Sequence, residues 1–188
     1  MLDSACHEAA RWPRDVHVAV NLSAVQLRKR NLAELVDRAL SRSGLDPRRL
    51  ELEITETALI ECAADCLPVL RQLKERGVVI ALDDFGTGYS SLSHLTMFPF
   101  DKIKIDKSFT QNIEKRTDCA IIVSATITLA RGLDIVTTAE GVETAEQCLL
   151  LQTAGVTSLQ GYFFQRPVPV SKIDFGAVFE AAMKVDAA

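Results

Sequence analysis

The stretch Val78-Val79-Ile80-Ala81-Leu82-Asp83-Asp84-Phe85-Gly86-Thr87-Gly88 decides the fold. A short apolar, β-branched run ends in two carboxylates. Two glycines then permit backbone conformations closed to other residues, and helical periodicity begins near residue 89. Strand, loop and helix form the repeating unit of an α/β protein, and the unit recurs on both sides of this segment. Strands are predicted over 16–22, 50–55, 78–84, 102–106, 135–140 and 158–163. Helices are predicted over about 24–42, 58–76, 89–97, 117–131 and 144–153, with a last one after Ser171, read as its N-cap. Gly44 with Pro47, Gly77, Gly132 and Gly155 punctuate the boundaries. The order implies a parallel sheet with crossover helices.

Side chains alternate across a strand, so parity assigns faces. Val18, Val20 and Leu22 fall opposite Ala19 and Asn21; Leu50, Leu52 and Ile54 fall opposite Glu51 and Glu53. Likewise Ile80 and Leu82 oppose Ala81 and Asp83, while Ile103 and Ile105 oppose Lys102, Lys104 and Asp106. The apolar face is expected to take the helices. The other face acquires Asn21, Glu53, Asp83, Lys104, Glu140 and Gln160 near the C-terminal end of each strand, where an α/β barrel builds its active site. Each alone reads as a solvated strand-end residue, and an open doubly wound sheet would also gather ligands at this edge.

The chain has 188 residues, 48% of them hydrophobic, which suits one domain with one core. A formal charge of −4 argues against a bulk electrostatic footprint for DNA or an anionic membrane. The longest mostly apolar stretch, 119–130, is too short to span a bilayer, and no signal peptide is evident, so the expected location is cytoplasmic. Five cysteines at irregular spacing read as free thiols; Cys62 and Cys66 share one helix face, but no histidine or second metal-type pair accompanies them. His7, His17 and His94 share no motif, and Trp12 and Phe98-Pro99-Phe100 read as packing elements.

Glu53, Asp83, Asp84 and Glu140 bring up to four carboxylates to one mouth, a costly arrangement unless cations neutralise it. Oxygen ligands with the Asn21 amide, and no histidine or thiol, suit magnesium or manganese. Two such ions can activate water for displacement at phosphorus, with Lys104 supplying positive charge beside them.

The chain resembles the EAL domain family of cyclic di-GMP phosphodiesterases through a conjunction of motifs in the family's order. These are Val20-Asn21-Leu22-Ser23, Glu51-Leu52-Glu53-Ile54-Thr55-Glu56, the Asp-Asp-Phe-Gly-Thr-Gly-Tyr-Ser-Ser-Leu run from Asp83, Lys104-Ile105-Asp106, Ala139-Glu140-Gly141-Val142-Glu143 and Gln160-Gly161-Tyr162. The resemblance implies a (β/α)8 TIM-barrel-like fold and hydrolysis of one phosphodiester bond of cyclic di-GMP to linear pGpG with two Mg2+ or Mn2+ ions. It implies that Asn21, Glu53 and Asp83 hold one ion, with Asp83 bridging to a second that Asp84 and Glu140 help hold. By the same resemblance Lys104 positions the hydrolytic water and Glu140 is the general base. Glu56 anchors the Asp-Phe-Gly-Thr-Gly loop, and Asp106, Glu143 and Gln160 are supporting or substrate-facing. A homodimer through helices adjoining that loop is a further family expectation.

The departure is at the front. The Glu-Ala-Leu signature and the arginine that follows it in active members should lie well before Asn21, yet only twenty residues precede it; Leu2 to Trp12 resembles the helix before the Asn-bearing strand. About six of eight strands are therefore expected, in an incomplete barrel that lacks its first strands. Length agrees, because such barrels run to at least about 200 residues. A truncated enzyme is the favoured account, ahead of a half-barrel completed by a partner. The alternative in function is an inactive module that binds cyclic di-GMP or a protein; a third reading is another metal-dependent barrel enzyme, forming an enolate beside Lys104.

Overall fold

The computed structural model of the chain describes residues 1–88 and 92–176. Six strands, β1 (Val18–Leu22), β2 (Leu50–Thr55), β3 (Val79–Phe85), β4 (Lys102–Ile105), β5 (Val136–Ala139) and β6 (Ser158–Leu159), form one sheet in sequential order with every pair parallel. A doubly wound sheet reverses strand order at a switch point. Here no reversal occurs, so the winding is that of an incomplete barrel wall, with β1 and β6 as the edges of the described sheet.

Helices α1 (Leu2–Ala9), α2 (Ala24–Leu27), α3 (Leu32–Ser43), α4 (Glu56–Glu75), α5 (Leu92–Met97), α6 (Lys107–Thr110), α7 (Thr117–Gly132) and α8 (Ala145–Ala154) follow the expected alternation. The face chosen by parity is the face that packs. Val20, Leu52, Ile54, Ile80, Leu82 and Ile103 are buried in one cluster with Val36 of α3 and Leu70 and Leu73 of α4. Farther along, Ile105 and Ala139 join Val123 and Ile127 of α7 and Leu151 of α8. Each of these valine, leucine and isoleucine side chains contributes about 1.5–3 kcal/mol by leaving water.

Three expected boundaries are corrected. The helix over 24–42 is two helices, α2 and α3. Leu27 and Leu32 are both buried, and five positions lie about 140° apart on one helix, so a continuous helix could not turn both inward. Ser23 starts α2 with a capping box shared with Gln26, and the chain breaks before Leu32. The last strand stops at Leu159 rather than 163. Gly161 lies directly against the 142 backbone, where an added Cβ would sit 2.1 Å from Val142 O, so the chain crosses that loop and leaves the sheet. Finally, Ser171 sits inside a 3-10 turn, Val170–Lys172, and is not an N-cap; the expected helix falls largely in 177–188, outside the described residues. Positions 89–91 of the helix expected over 89–97 also lie outside them.

Arg49 closes the end of the sheet away from the strand C-termini. Its guanidinium donates to Val16 O (2.9 Å), Ala9 O (2.8 Å) and Pro13 O (3.0 Å), tying the end of α1 and the approach to β1 to the start of β2. Arg49→Met should cost roughly 1–2 kcal/mol by removing these bonds and leaving Val16 O without its donor, while Ala9 O and Pro13 O keep the Trp12 and Val16 backbone N–H, a fall of roughly 3–6 °C in thermal midpoint. A shift below about 1 °C in a calorimetric scan would show that water replaces the guanidinium without loss.

All five cysteines are buried and free, and Phe98 and Phe100 are buried in the core. Among the described residues no helix is long and apolar enough to cross a membrane.

Candidate active site

Parity brings the interior polar residues into one layer. Glu53 on β2 faces Asn21 on β1 and Ala81 on β3. Because Ala81 offers only a methyl group, Lys104 reaches across β3 from β4. Its Nζ lies 2.6 Å from Glu53 Oε1, 2.6 Å from Glu140 Oε1 and 3.2 Å from Asp83 Oδ1. Lys104 is 4% exposed, so these contacts act in a poorly screened environment. Burial works against the ammonium, but hydrogen bonds to Glu140 and Glu53 outweigh it and hold its pKa above the usual lysine value. Burial likewise pushes Glu53 and Glu140 above the ordinary carboxylate range, with Lys104 opposing.

Strict alternation would send Asp83 and Asp84 to opposite faces. The register between β3 and β4 instead shifts between Leu82 and Phe85, a bulge in which Asp84 takes φ 55°. A non-glycine residue in the left-handed region carries about 1–3 kcal/mol of strain. The Asp84 N–H donates to Asp83 Oδ1 at 3.0 Å, which fixes the kink. As a result, carboxylate oxygens of Asp83, Asp84 and Glu140 all come within 4.8 Å of one another. Burial, then Asp83 and Asp106, raise the pKa of Asp84. Three carboxylates without thiol or imidazole fit a hard divalent cation. Glu53 is engaged by Lys104 beside this triad, and Asn21, its register partner on β1, is exposed.

The loop after β3 is held from α4. Thr55 ends β2 and also caps α4, its hydroxyl accepting from the Ala58 N–H, so Glu56 opens the helix beside the sheet. The buried Glu56 accepts from the Gly86 N–H at 3.2 Å. Gly86 has φ 97°, and a Cβ there would press to 2.8 Å from Phe109 Cε2, so the tight turn has room only for glycine.

The remaining expected residues make contacts of their own outside the triad. Asp106 caps α6 through Ser108 N–H (2.9 Å). Glu143 is exposed and accepts from Gln111 Nε2 (2.9 Å), and the Gln160 backbone bridges Ala139 and Val142. Outside that expected set, Arg166 stacks over Tyr162 at 4.6 Å.

The profile of the family described as "EAL domain" matches residues 1–167. This chain belongs to the EAL domain family. Among its relatives, the bifunctional diguanylate cyclase/cyclic di-GMP phosphodiesterase MucR of Pseudomonas aeruginosa is 42% identical over 177 residues, covering 92% of this chain and 26% of MucR. An uncharacterised signalling protein of Caulobacter vibrioides is 51% identical over 173 residues, covering 92% of this chain and 21% of that protein. The chain thus spans about a quarter or less of these relatives. A PaMucR phosphodiesterase solved with cyclic di-GMP superposes with TM-score 0.87 at 42% identity, covering 91% of this chain and 71% of that one. BlrP1 of Klebsiella pneumoniae, solved with cyclic di-GMP and calcium, superposes with TM-score 0.82 at 35% identity over 88% of this chain and 42% of that one; manganese complexes of it are also known.

One pair in this EAL domain escaped the sequence reading as a site feature. Lys102 Nζ donates to Glu51 Oε2 one layer below Lys104, and Glu51 is buried. Parity placed both residues on the interior face, which was the available signal.

Proposed function

We propose that this EAL domain hydrolyses one phosphodiester bond of cyclic di-GMP to linear pGpG with two Mg2+ or Mn2+ ions. The observation that carries the reading is the convergence of Glu53, Asp83 and Glu140 on Lys104, with Asp84 beside them, at the C-terminal ends of four parallel strands. Asp83, Asp84 and Glu140 would hold one ion, and Asn21, Glu53 and Asp83 the other. When bound, such ions supply Lewis-acid stabilisation to phosphate oxygens and ease the ionisation of water. Lys104 orients the attacking water, and Glu140 receives the proton it gives up. Glu56 keeps the Gly86 turn closed under the site; Asp106, Glu143 and Gln160 border the substrate or support the residues that touch it. Homodimerisation through helices adjoining the loop belongs to the same reading.

The test is chromatographic. Cyclic di-GMP is incubated with manganese and either the chain alone or the chain joined upstream to the Glu-Ala-Leu segment of a family member. Production of linear dinucleotide by either form, abolished by chelation, is the expected result. Tight binding with unchanged nucleotide in both forms would make the protein a receptor instead.

A further inference from the structure

The interior of the sheet carries two ion-pair rungs, each spanning from β2 over β3 to β4. The upper is Glu53–Lys104; the lower is Glu51–Lys102. Glu51 and Glu53 lie two residues apart on one strand face, as do Lys102 and Lys104, so the rungs are stacked about 7 Å apart. Ala81 faces Glu53 on one side and Lys102 on the other, and it is fully buried. Its small side chain leaves the gap through which both lysines cross.

The buried Glu51 carboxylate must find a cation, because an unpaired buried charge is far more costly than a satisfied pair. Lys102 is its partner. The next ammonium on that face of β4 is Lys104, already shared among three carboxylates. We propose that Lys102 is a positioning residue that satisfies Glu51 and thereby leaves Lys104 to Glu53, Asp83 and Glu140. Without Lys102, Glu51 competes for Lys104 and draws it down, away from Glu140. The kinetic part of this inference rests on the phosphodiesterase reading; the placement of Lys104 does not.

The experiment follows the Lys104 ammonium by lysine-selective 15N NMR on the full chain, together with kcat and KM for cyclic di-GMP. In Lys102→Met the Lys104 signal should shift, and kcat should fall at least about tenfold with KM within about twofold, the pattern of a lost transition-state interaction. Lys102→Arg, which keeps the charge, should retain the wild-type signal. Adding Lys102→Met to a Glu51→Gln background should be silent in both readouts, because the competing carboxylate charge is gone, and this arm holds even if the single variant fails to fold. An unmoved Lys104 signal in folded Lys102→Met, or a shift on adding Lys102→Met to Glu51→Gln, overturns the proposal. If the NMR pattern is as expected but wild-type protein leaves cyclic di-GMP intact, the phosphodiesterase reading fails and the positioning role stands.

Discussion

Asp83→Asn is expected to lower metal-dependent turnover of cyclic di-GMP by roughly 10³-fold or more, equivalent to about 4 kcal/mol of barrier. Asparagine keeps an oxygen able to accept the Asp84 N–H, so the bulge that turns Asp84 inward should survive. What disappears is the charge of the carboxylate proposed to bridge both ions. The cluster of Glu53, Asp83, Asp84 and Glu140 against Lys104, four negative groups and one positive, has a formal charge of −3 when all are ionised. Removing one carboxylate reduces that repulsion, so the metal-free variant should melt no lower than the wild type. Activity and thermal midpoint measured on the same preparation separate the two effects. Turnover within threefold of wild type would sink the assignment of Asp83 as the shared ligand.

Lys104→Met is expected to act in the opposite sense on stability. Three carboxylates lose the one ammonium they share, and removing one partner of a buried ion cluster costs about 3–5 kcal/mol, or roughly 10 °C in midpoint. Methionine fills the volume of the lysine stem, so little of the loss is a cavity effect. Divalent cations would then be the remaining source of positive charge. Manganese should therefore raise the midpoint of Lys104→Met by several degrees more than it raises that of the wild type, while turnover stays low because the ammonium proposed to orient water is gone. Equal manganese stabilisation in both proteins would show that the carboxylates do not act together on a cation.

Much of this was legible from period-two alternation. Glu53 and Lys104 were assigned to one face because Leu52, Ile54, Ile103 and Ile105 occupy the other, and the structure brings them to 2.6 Å. That the strands run parallel also followed from the helix-length segments between them, whereas their sequential order followed only from the family resemblance. What alternation could not reveal was departure from itself. The bulge that turns Asp84 inward depends on the β3–β4 register, a pairing across twenty residues. The early end of β6 depends on the contact of Gly161 with the 142 backbone, again a tertiary approach that local propensity does not encode. The break between α2 and α3 was readable in principle from the Leu27–Leu32 spacing, but only once both leucines were known to face inward.

Thr55 is both the last residue of β2 and the cap of α4, so strand and helix meet with no residue to spare. That has a genealogical consequence. Most joints in such folds absorb insertions and deletions in their loops. Here one added residue would rotate α4 by about 100° about its axis and turn Glu56 away from Gly86, while Glu53 stayed where it was. Chain length between positions 53 and 56 should therefore be invariant wherever the site works, and an alignment gap there would mark a descendant that has given up the loop.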